Sequence, residues 1–352
     1  MIYEDLYSLI RPTQIVNSSS NIYIYTHQNP LGTMATLVAQ QTPESFQAPV
    51  PTLPATSLST TTTTTITGRD VRLAARTNAL TIPTSGLAPT YLQANLLILP
   101  SRHAADFRLL CARNPVPCPL LAESASVGRW DAVASRVAGL SGSQLLSADC
   151  CDIRRDAPRY NVYKDGVLLA EHAGCFDVVD HWTDDHVAFL IGCSFSFESA
   201  LSAAGLTPRH TVLGRNVCMY RTTVPLCPAG VFTGSTYVVS MRPYRASEIE
   251  QVREITRGYT DTHGEPIAWG WEALAKLGIE NIDKPQWGEV PLTEDGRPLG
   301  EFYGSDEEVP VFWGCGVTPQ EAVVRAKIGG MVMAHAPGHM LVLDCRDDDI
   351  LK

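Results

Sequence analysis

The chain has 352 residues, of which 45% are hydrophobic and 18% are charged, a composition typical of a globular protein with a sizeable core. The formal net charge of -10 excludes a general binder of nucleic acid or of an anionic membrane, because both need a basic surface. A small anionic substrate is not excluded, since it senses only the charge of its own pocket. No apolar run has the length of a membrane span, so we expect a cytoplasmic protein, with a mitochondrial location as the alternative.

The ten cysteines are expected to be free thiols. The chain starts without the charged and apolar segments of a secretory signal, it contains no CxxC pair, and Cys150 and Cys151 are adjacent. These features indicate a reducing compartment rather than a disulfide framework.

Residues 1–69 are predicted to be a low-complexity, disordered extension, because the polar runs 17–20 and 59–65 bury too little apolar surface to fold. Ile22–Tyr25 could form a short strand, but no partner strand is evident nearby. Residues 70–352 are predicted to form the catalytic α/β region. Within it, residues 264–308 are rich in Gly, Pro and Trp and are expected to form a smaller irregular lobe.

Several further elements are predicted in chain order. Val71–Arg76 has helical spacing, and Gln93–Pro100 is a buried strand ended by proline. Tyr160–Leu168 is predicted to form a hairpin, because its Asp-Gly pair suits a tight turn. A strand is expected at Tyr237–Met241, followed by a helix at Ser247–Arg257 with a capping box at its start.

The pattern of an apolar strand, a Gly-Cys turn and a helix occurs twice. The strand Val187–Ile191 is followed by Gly192-Cys193-Ser194 and a helix to Ala204, and Val309–Gly316 is followed by a helix whose N-cap is predicted at Thr318. This alternation predicts an α/β fold with some parallel pairing, built as a mixed sheet with flanking helices in two interlocked lobes. Both turns are expected at the ends of the strands, where ligands of such sheets bind.

The first turn carries candidate catalytic groups. Cys193 is a candidate nucleophile or proton donor, since a helix start can lower a thiol pKa, but a buried free cysteine is also a common core residue. Cys315 occupies the matching place in the second turn. Ser194 and Ser196 suit helix caps better than nucleophiles. The backbone N–H groups at Cys193-Ser194 are expected to stabilise an oxyanion.

An arginine-rich segment follows the first turn. Arg215, Asn216, Tyr220 and Arg221 lie close together in sequence, and Arg242 ends a predicted strand. Arginine binds carboxylates in a bidentate geometry, so these residues are candidates for holding a small acid. Surface positions and internal ion pairs are the alternative interpretation.

His335 and His339 flank an Ala-Pro-Gly turn. They are candidates for acid/base catalysis, with a structural role or metal binding as alternatives, and Glu198 is a further candidate base. No HExxH, GxGxxG or Walker pattern is present, so we expect neither a metal nor a nucleotide cofactor. The expected partner is a small amino or hydroxy acid; a homo-oligomer stays open.

Ordered blocks of the sequence resemble those of the D-glutamate cyclase family, whose members are also grouped as hydro-lyases. The resemblance extends from Val71 to about Asp344, and its blocks are 86–89 with 93–95, 114–119, 189–198, 214–222, 239–243, 311–320 and 335–340.

The resemblance implies an α/β fold and a carbon–oxygen lyase, most concretely one that cyclises D-glutamate to 5-oxo-D-proline with loss of water. In that reaction Arg215 or Arg221 would hold the α-carboxylate. His335, His339 or Glu198 would carry the proton from the amine to the leaving hydroxyl. A protein that binds a small carboxylic or amino acid without catalysis is the alternative.

Overall fold

The computed structural model describes residues 22–28, 34–40 and 66–352, in two compact units, 1–63 and 64–352. In the first unit, β1 (Ile22–Gln28) pairs antiparallel with β2 (Met34–Gln40). The strand expected at Ile22–Tyr25 therefore has a partner, which was not foreseen. The low-complexity runs 17–20 and 59–65, on which the prediction of disorder rests, lie outside the described residues.

The second unit contains the remaining strands and helices. The strands are β3 (Tyr91–Pro100), β4 (Leu120–Ser124), β5 (Val133–Ser135), β6 (Tyr160–Lys164), β7 (Val167–Cys175), β8 (His186–Gly192), β9 (Cys218–Pro225), β10 (Thr236–Tyr244), β11 (Ala268–Trp269), β12 (Val309–Gly314), β13 (Met331–His335) and β14 (Leu341–Arg346). The helices are α1 (Gly68–Arg76), α2 (Ala104–Arg113), α3 (Gly142–Leu145), α4 (Glu198–Ala203), α5 (Arg209–Val212), α6 (Ile249–Arg257), α7 (Glu272–Leu277) and α8 (Val317–Ala326). Among the described residues, no helix combines the length and apolar character needed to cross a bilayer.

The larger sheet is organised around β3. Its strand order is β5-β4-β8-β3-β13-β6-β7, and β14 also pairs with β3. β13 pairs with one end of β3, at Leu97 and Ile98, whereas β14 pairs with the other end, starting at Ala94. The turn between His335 and Leu341 therefore leaves the sheet beside the middle of β3. This interruption brings the two predicted histidines to the centre of the sheet.

The smaller sheet has the order β11-β12-β10-β9. One face of β3, including Leu96 and Ile98, shares a buried cluster with Val239 of β10 and Trp313 of β12. The other face of β3, including Leu97, packs with side chains of α2 and α8. Two sheets and their helices thus surround continuous apolar layers, which position the loops at the strand ends.

The α/β class predicted from the sequence is confirmed, but the pairing differs from the expectation. Every strand pair in the described part of the chain is antiparallel, so the predicted parallel pairing is wrong. The strands and helices alternate along the sequence, yet the helices after β8 and β12 do not connect neighbouring parallel strands. The alternation of strands and helices predicted the α/β class because it reflects local periodicity. The direction of each strand depends instead on contacts with distant segments.

The predicted hairpin forms: Asp165 and Gly166 both have positive φ, at 51° and 79°, as a tight two-residue turn requires. The two predicted helix starts are displaced. α6 begins at Ile249 after a 3-10 turn, and Arg245 and Glu248 form the capping box instead of Ser247. α8 has Gly316 at its N-cap, because the Thr318 hydroxyl donates to the backbone of Val238 at 3.1 Å.

Candidate active site

The two Gly-Cys turns meet in the structure. Cys193 and Cys315 belong to one small buried cluster, which also contains Val217 and Met340. These neighbours come from segments that carry Asn216 and His339, so the cluster brings the predicted segments together around both turns. The sequence repeat therefore corresponds to spatial convergence, although the strands are not parallel.

Asn95 of β3 lies between the turns. Its side-chain amide donates to the carbonyl oxygen of Gly192 at 3.0 Å. A Cβ atom on Gly316 would overlap the same amide, so only glycine permits this close approach of the second turn. Asn95 thus links the strand end at Gly192 to the start of α8.

Both thiols are poor nucleophiles in this arrangement. Burial raises the pKa of Cys193 far above its ordinary value, and the backbone N–H of Phe195 offsets only part of this effect. Burial likewise raises the pKa of Cys315 to about 11. The expectation that a helix start lowers the thiol pKa at this turn is wrong, because the loss of solvent outweighs the nearby N–H dipole.

The start of the first helix also differs from the prediction. Ser194–Phe197 form a 3-10 turn and α4 begins only at Glu198. The N–H of Ser196 donates to the carbonyl of Cys193 at 3.1 Å, and that of Phe195 is directed at the Cys193 sulfur. These two N–H groups are engaged within the turn and are not available to a ligand. The oxyanion site expected at the N–H groups of Cys193 and Ser194 stays a prediction.

The two serines bond to other elements and cap no helix. The Ser194 hydroxyl oxygen accepts from the Arg242 guanidinium at 3.0 Å. The Ser196 hydroxyl oxygen accepts from the backbone N–H of Gln93 at 3.1 Å. Both side chains are buried, so they join the turn to β10 and β3.

Glu198 and Arg242 form a buried ion pair. The Arg242 Nε donates to Oε1 of Glu198 at 2.9 Å, and Arg242 has no solvent exposure. Its Nη1 also donates to the hydroxyl of Ser240 at 3.1 Å. Burial alone would raise the pKa of Glu198, but His210 and Arg242 more than offset it and hold that pKa below its usual value. Glu198 is therefore a carboxylate fixed by several partners rather than a free base.

His210, which the sequence reasoning missed, completes this group. Its Nε2 lies 3.2 Å from Oε1 of Glu198, and Thr211 contacts the other carboxylate oxygen at 3.5 Å. The ring of His210 also stacks on Phe195, with 6.1 Å between the ring centres. The available signal was the Pro-Arg-His sequence after Gly205, but its short helix, α5, has no periodic pattern that would mark it.

A narrow cleft opens in front of His210. Its walls include Arg209, His210, Arg215, Asn216 and Glu289. Its free volume is about 20 Å³, which is room for a single water molecule. Three side-chain atoms in these walls, Nη1 of Arg209, Nε2 of His210 and Oδ1 of Asn216, are buried without a hydrogen-bond partner. The cleft therefore presents both a donor and an acceptor for a polar ligand.

The carboxylate of Glu289 pairs with Arg215, the arginine that was predicted to bind the substrate. Nη2 of Arg215 lies 3.5 Å from Oε1 of Glu289 and donates to the carbonyl of Val290 at 3.2 Å. The backbone N–H of Asn216 donates to the same carboxylate at 2.7 Å. A ligand carboxylate of similar shape fits this position if it displaces Glu289.

The turn between His335 and His339 packs against Asn216 of the cleft wall. A Cβ atom on Gly338 would overlap the side-chain amide of Asn216, so this turn packs directly on the predicted substrate residue. Nδ1 of His339 donates to the carbonyl of Pro337 at 3.0 Å, and burial lowers the pKa of His339.

His335 is held inside the large sheet. The backbone N–H of Leu96 donates to its Nδ1 at 3.1 Å, and the side-chain nitrogen of Gln320 lies 2.7 Å from the same atom. The carbonyl oxygen of Leu96 also lies 3.2 Å from Nδ1, whereas Nε2 is buried without a partner. Burial lowers the pKa of His335 to about 4, so the ring is neutral near pH 7.

Tyr220 and Arg221 lie outside the cleft, as do the other predicted substrate residues Arg242, Ser194, Ser196 and Cys315. Tyr220 is fully buried, and its hydroxyl donates to the carbonyl of Ile282 at 2.5 Å. Arg221 is on the surface, where its Nε donates to Glu321 at 2.8 Å. Alternation along β9 explains the split, since neighbouring side chains point to opposite faces of a strand.

No group of three His, Cys, Asp or Glu side chains in the described part of the chain is placed to hold a metal ion. All ten cysteines have free thiols.

Comparison with known proteins places the chain in a family. Residues 187–344 match a family model described as D-glutamate cyclase. A protein of Schizosaccharomyces pombe named "Putative hydro-lyase" is 42% identical over 78% of this chain and 83% of its own length. Proteins of Corynebacterium urealyticum and Bordetella petrii with the same descriptive name are 43% and 45% identical, each over 78% of this chain and 92% of their own length.

A solved structure of a nitrogen repressor-like protein from Methanococcus jannaschii covers 78% of this chain and 97% of its own, with 10% identity and a TM-score of 0.27. That score is too low to indicate a shared fold. The sequence relatives decide the question, because their similarity extends over most of both chains. The chain belongs to the D-glutamate cyclase family, whose curated members are named as hydro-lyases.

Proposed function

We propose that this protein is a carbon–oxygen lyase that acts on a small amino acid, and that its substrate is D-glutamate, which it cyclises to 5-oxo-D-proline with loss of water. The family supports the reaction class. The observation that carries the proposal is the cleft in which Arg215 and Asn216 stand beside His210, backed by the ion pair of Glu198 and Arg242.

The cleft offers groups that match the ends of an amino acid. Arg215 is the group for the α-carboxylate, which takes the place of the Glu289 carboxylate. The unpartnered Oδ1 of Asn216 is the acceptor for the substrate ammonium. Because the free volume admits only a water molecule, the substrate enters when the loop of Glu289 moves away from Arg215.

The remaining predicted residues support this cleft. Ser194 and Ser240 hold Arg242, which in turn fixes Glu198. Cys193 and Cys315 pack behind the turns as neutral thiols. We assign His335 to holding the turn that presses Gly338 against Asn216, since its Nδ1 is already bonded to the sheet. No covalent intermediate is needed, because holding the amine near the γ-carboxyl supplies much of the acceleration.

The proposal is tested by incubating the purified full-length protein with D-glutamate and, separately, with L-glutamate. Chiral chromatography then follows 5-oxoproline over time. We expect 5-oxo-D-proline to form in proportion to the amount of protein, with little product from L-glutamate. Measurable binding of D-glutamate without any product would instead identify a non-catalytic binding protein.

A further inference from the structure

We propose that His210 is the proton-transfer residue of the cleft, with Glu198 as its positioning residue. The inference rests on the proposed function, because it assigns the acid/base step of that reaction. It differs from the sequence prediction, which gave this step to His335, His339 or Glu198 itself.

The contact with Glu198 bears on the tautomer of His210. Its Nε2 lies 3.2 Å from Oε1 of Glu198, an ion-pair distance, although the two atoms do not meet hydrogen-bond geometry and Nε2 is buried without a hydrogen-bond partner. A carboxylate oxygen at this distance favours an N–H on that nitrogen. The proton of the neutral ring is thus placed on Nε2, and Nδ1 keeps the lone pair. Since His210 lines the cleft, Nδ1 is the acceptor available to a bound substrate.

The carboxylate of Glu198 is held rigidly by its neighbours. Glu198 is held by Arg242, which is fully buried, and Arg242 is held by Ser194 and Ser240. The ring of His210 stacks on Phe195. A carboxylate fixed in this way orients the imidazole and stabilises its protonated form when it accepts a proton.

The other candidate groups are less suited to the step. Nδ1 of His335 is already engaged by the backbone of Leu96, and burial lowers the pKa of His335 to about 4. Nδ1 of His339 donates to the carbonyl of Pro337. Glu198 is already paired with Arg242, so it is not a free base. His210 is the histidine that combines contact with a carboxylate and a place in the cleft wall.

The step balances without a further reactant. The substrate ammonium first gives one proton to the γ-carboxylate, and the amine lone pair forms the N–C bond to the carboxyl carbon. His210 then takes a second proton from the nitrogen. The C–O bond breaks as the imidazolium returns that proton to the leaving hydroxyl, which departs as water. Nitrogen loses two protons and oxygen gains two, so the ring is neutral again.

The test compares His210→Ala with the control His172→Ala in the D-glutamate assay. His172 packs against His181 on another part of the large sheet, away from the cleft. We expect His210→Ala to lower kcat by about 100-fold or more, the usual contribution of a general acid/base group. Added imidazole is expected to raise the kcat of His210→Ala at least about tenfold, since it replaces the missing proton carrier. His172→Ala is expected to keep the wild-type kcat, with or without imidazole.

A second variant covers the case in which His210→Ala does not fold. His210→Gln retains a side-chain N–H for Glu198 but carries no exchangeable base, and we expect the same loss of kcat with little change in KM. Glu198→Gln is expected to lower kcat more than it raises KM, since it removes the charge that orients the ring.

A folded His210 variant with kcat near the wild-type value would overturn the inference and leave the proposed function intact. A loss of activity in His210→Ala that imidazole does not restore would overturn it too. Wild-type protein that forms no 5-oxoproline would defeat the proposed function, and the assignment of His210 would fall with it.

Discussion

Glu198 and Arg242 form an ion pair between side chains that are almost completely removed from solvent, with 2.9 Å between Oε1 and Nε. Removal of one partner leaves an uncompensated buried charge. Arg242→Met is therefore expected to lower the free energy of unfolding by about 3–5 kcal/mol. Urea denaturation followed by circular dichroism measures the change.

The matched control for this prediction is Arg257→Met. Arg257 pairs with Glu254 on an exposed helix face, where 51% and 74% of the two side chains are accessible. Exposed pairs contribute about 0–1 kcal/mol, so the control is expected to lose little stability. Equal losses of stability in Arg242→Met and Arg257→Met would contradict a larger contribution from the buried ion pair.

Gly316→Ala is expected to disturb the meeting point of the two Gly-Cys turns. The new Cβ overlaps the side-chain amide of Asn95, which must move and give up its bond to Gly192. Overpacking of this kind costs about 1–3 kcal/mol. Thermal denaturation should show the loss, and adding Asn95→Ala should recover part of it.

Gly329→Ala is the comparison for the glycine prediction, because the nearest atoms to its Cβ position are 3.7 Å away. Its melting temperature should stay close to that of the wild type. A Gly316→Ala protein as stable as Gly329→Ala would contradict the close approach of Asn95.

The sequence predicted those features that local chemistry controls. The Asp165-Gly166 turn and the buried strand β8 follow from residue type and from an apolar run that is buried throughout. The start of α8 was misplaced because the Thr318 hydroxyl bonds to β10, a strand about 80 residues distant. Such a competition between a local cap and a distant partner leaves no signature in the sequence.

The sequence predicted which segments form the candidate site, but it did not predict which of their side chains contact each other. Arg215 and Arg221 have the same residue type in the same motif, yet one lines the cleft and the other is paired on the surface. Arg242, the third candidate arginine, is the most buried of the three and pairs with Glu198. Ion pairs over a long sequence separation decide these roles, and their partners cannot be identified from one chain.

Thiol labelling tests the assignment of Cys193 as a neutral residue. Because burial raises its pKa, iodoacetamide at pH 8 should leave Cys193 unmodified in the folded protein. Cys227 is exposed and is expected to be labelled first. Peptide mass spectrometry locates the label. Rapid modification of Cys193 with parallel loss of activity would favour a reactive thiol instead.

The raised pKa of Asp347 predicts that the free energy of unfolding falls as the pH rises. Burial, and secondarily the charge of Asp348, raises the pKa of this carboxyl from 3.8 to about 8. Between these values the folded state holds a proton that the unfolded state has released. Unfolding therefore becomes more favourable as the pH rises from about 4 to 8, with a total effect on the order of a few kcal/mol.

The variant Asp347→Asn should remove this contribution. Its free energy of unfolding should exceed that of the wild type at pH 8–9, and the difference should shrink towards pH 5. Urea denaturation at several pH values supplies the comparison. Curves that stay parallel across this range would contradict a raised pKa at Asp347.

In the proposed function, the cleft at Arg215 binds the carboxylate of a small acid substrate. The most direct measurement is KM for D-glutamate in Arg215→Gln beside Arg221→Gln, two changes of the same kind on the two arginines. Arg215 lines the cleft, whereas Arg221 is bonded to Glu321 outside it. Loss of a charged hydrogen bond of about 1.5–3 kcal/mol predicts that KM rises about 10- to 100-fold for Arg215→Gln and stays within about twofold of the wild type for Arg221→Gln. Unchanged KM and kcat in Arg215→Gln would contradict the account.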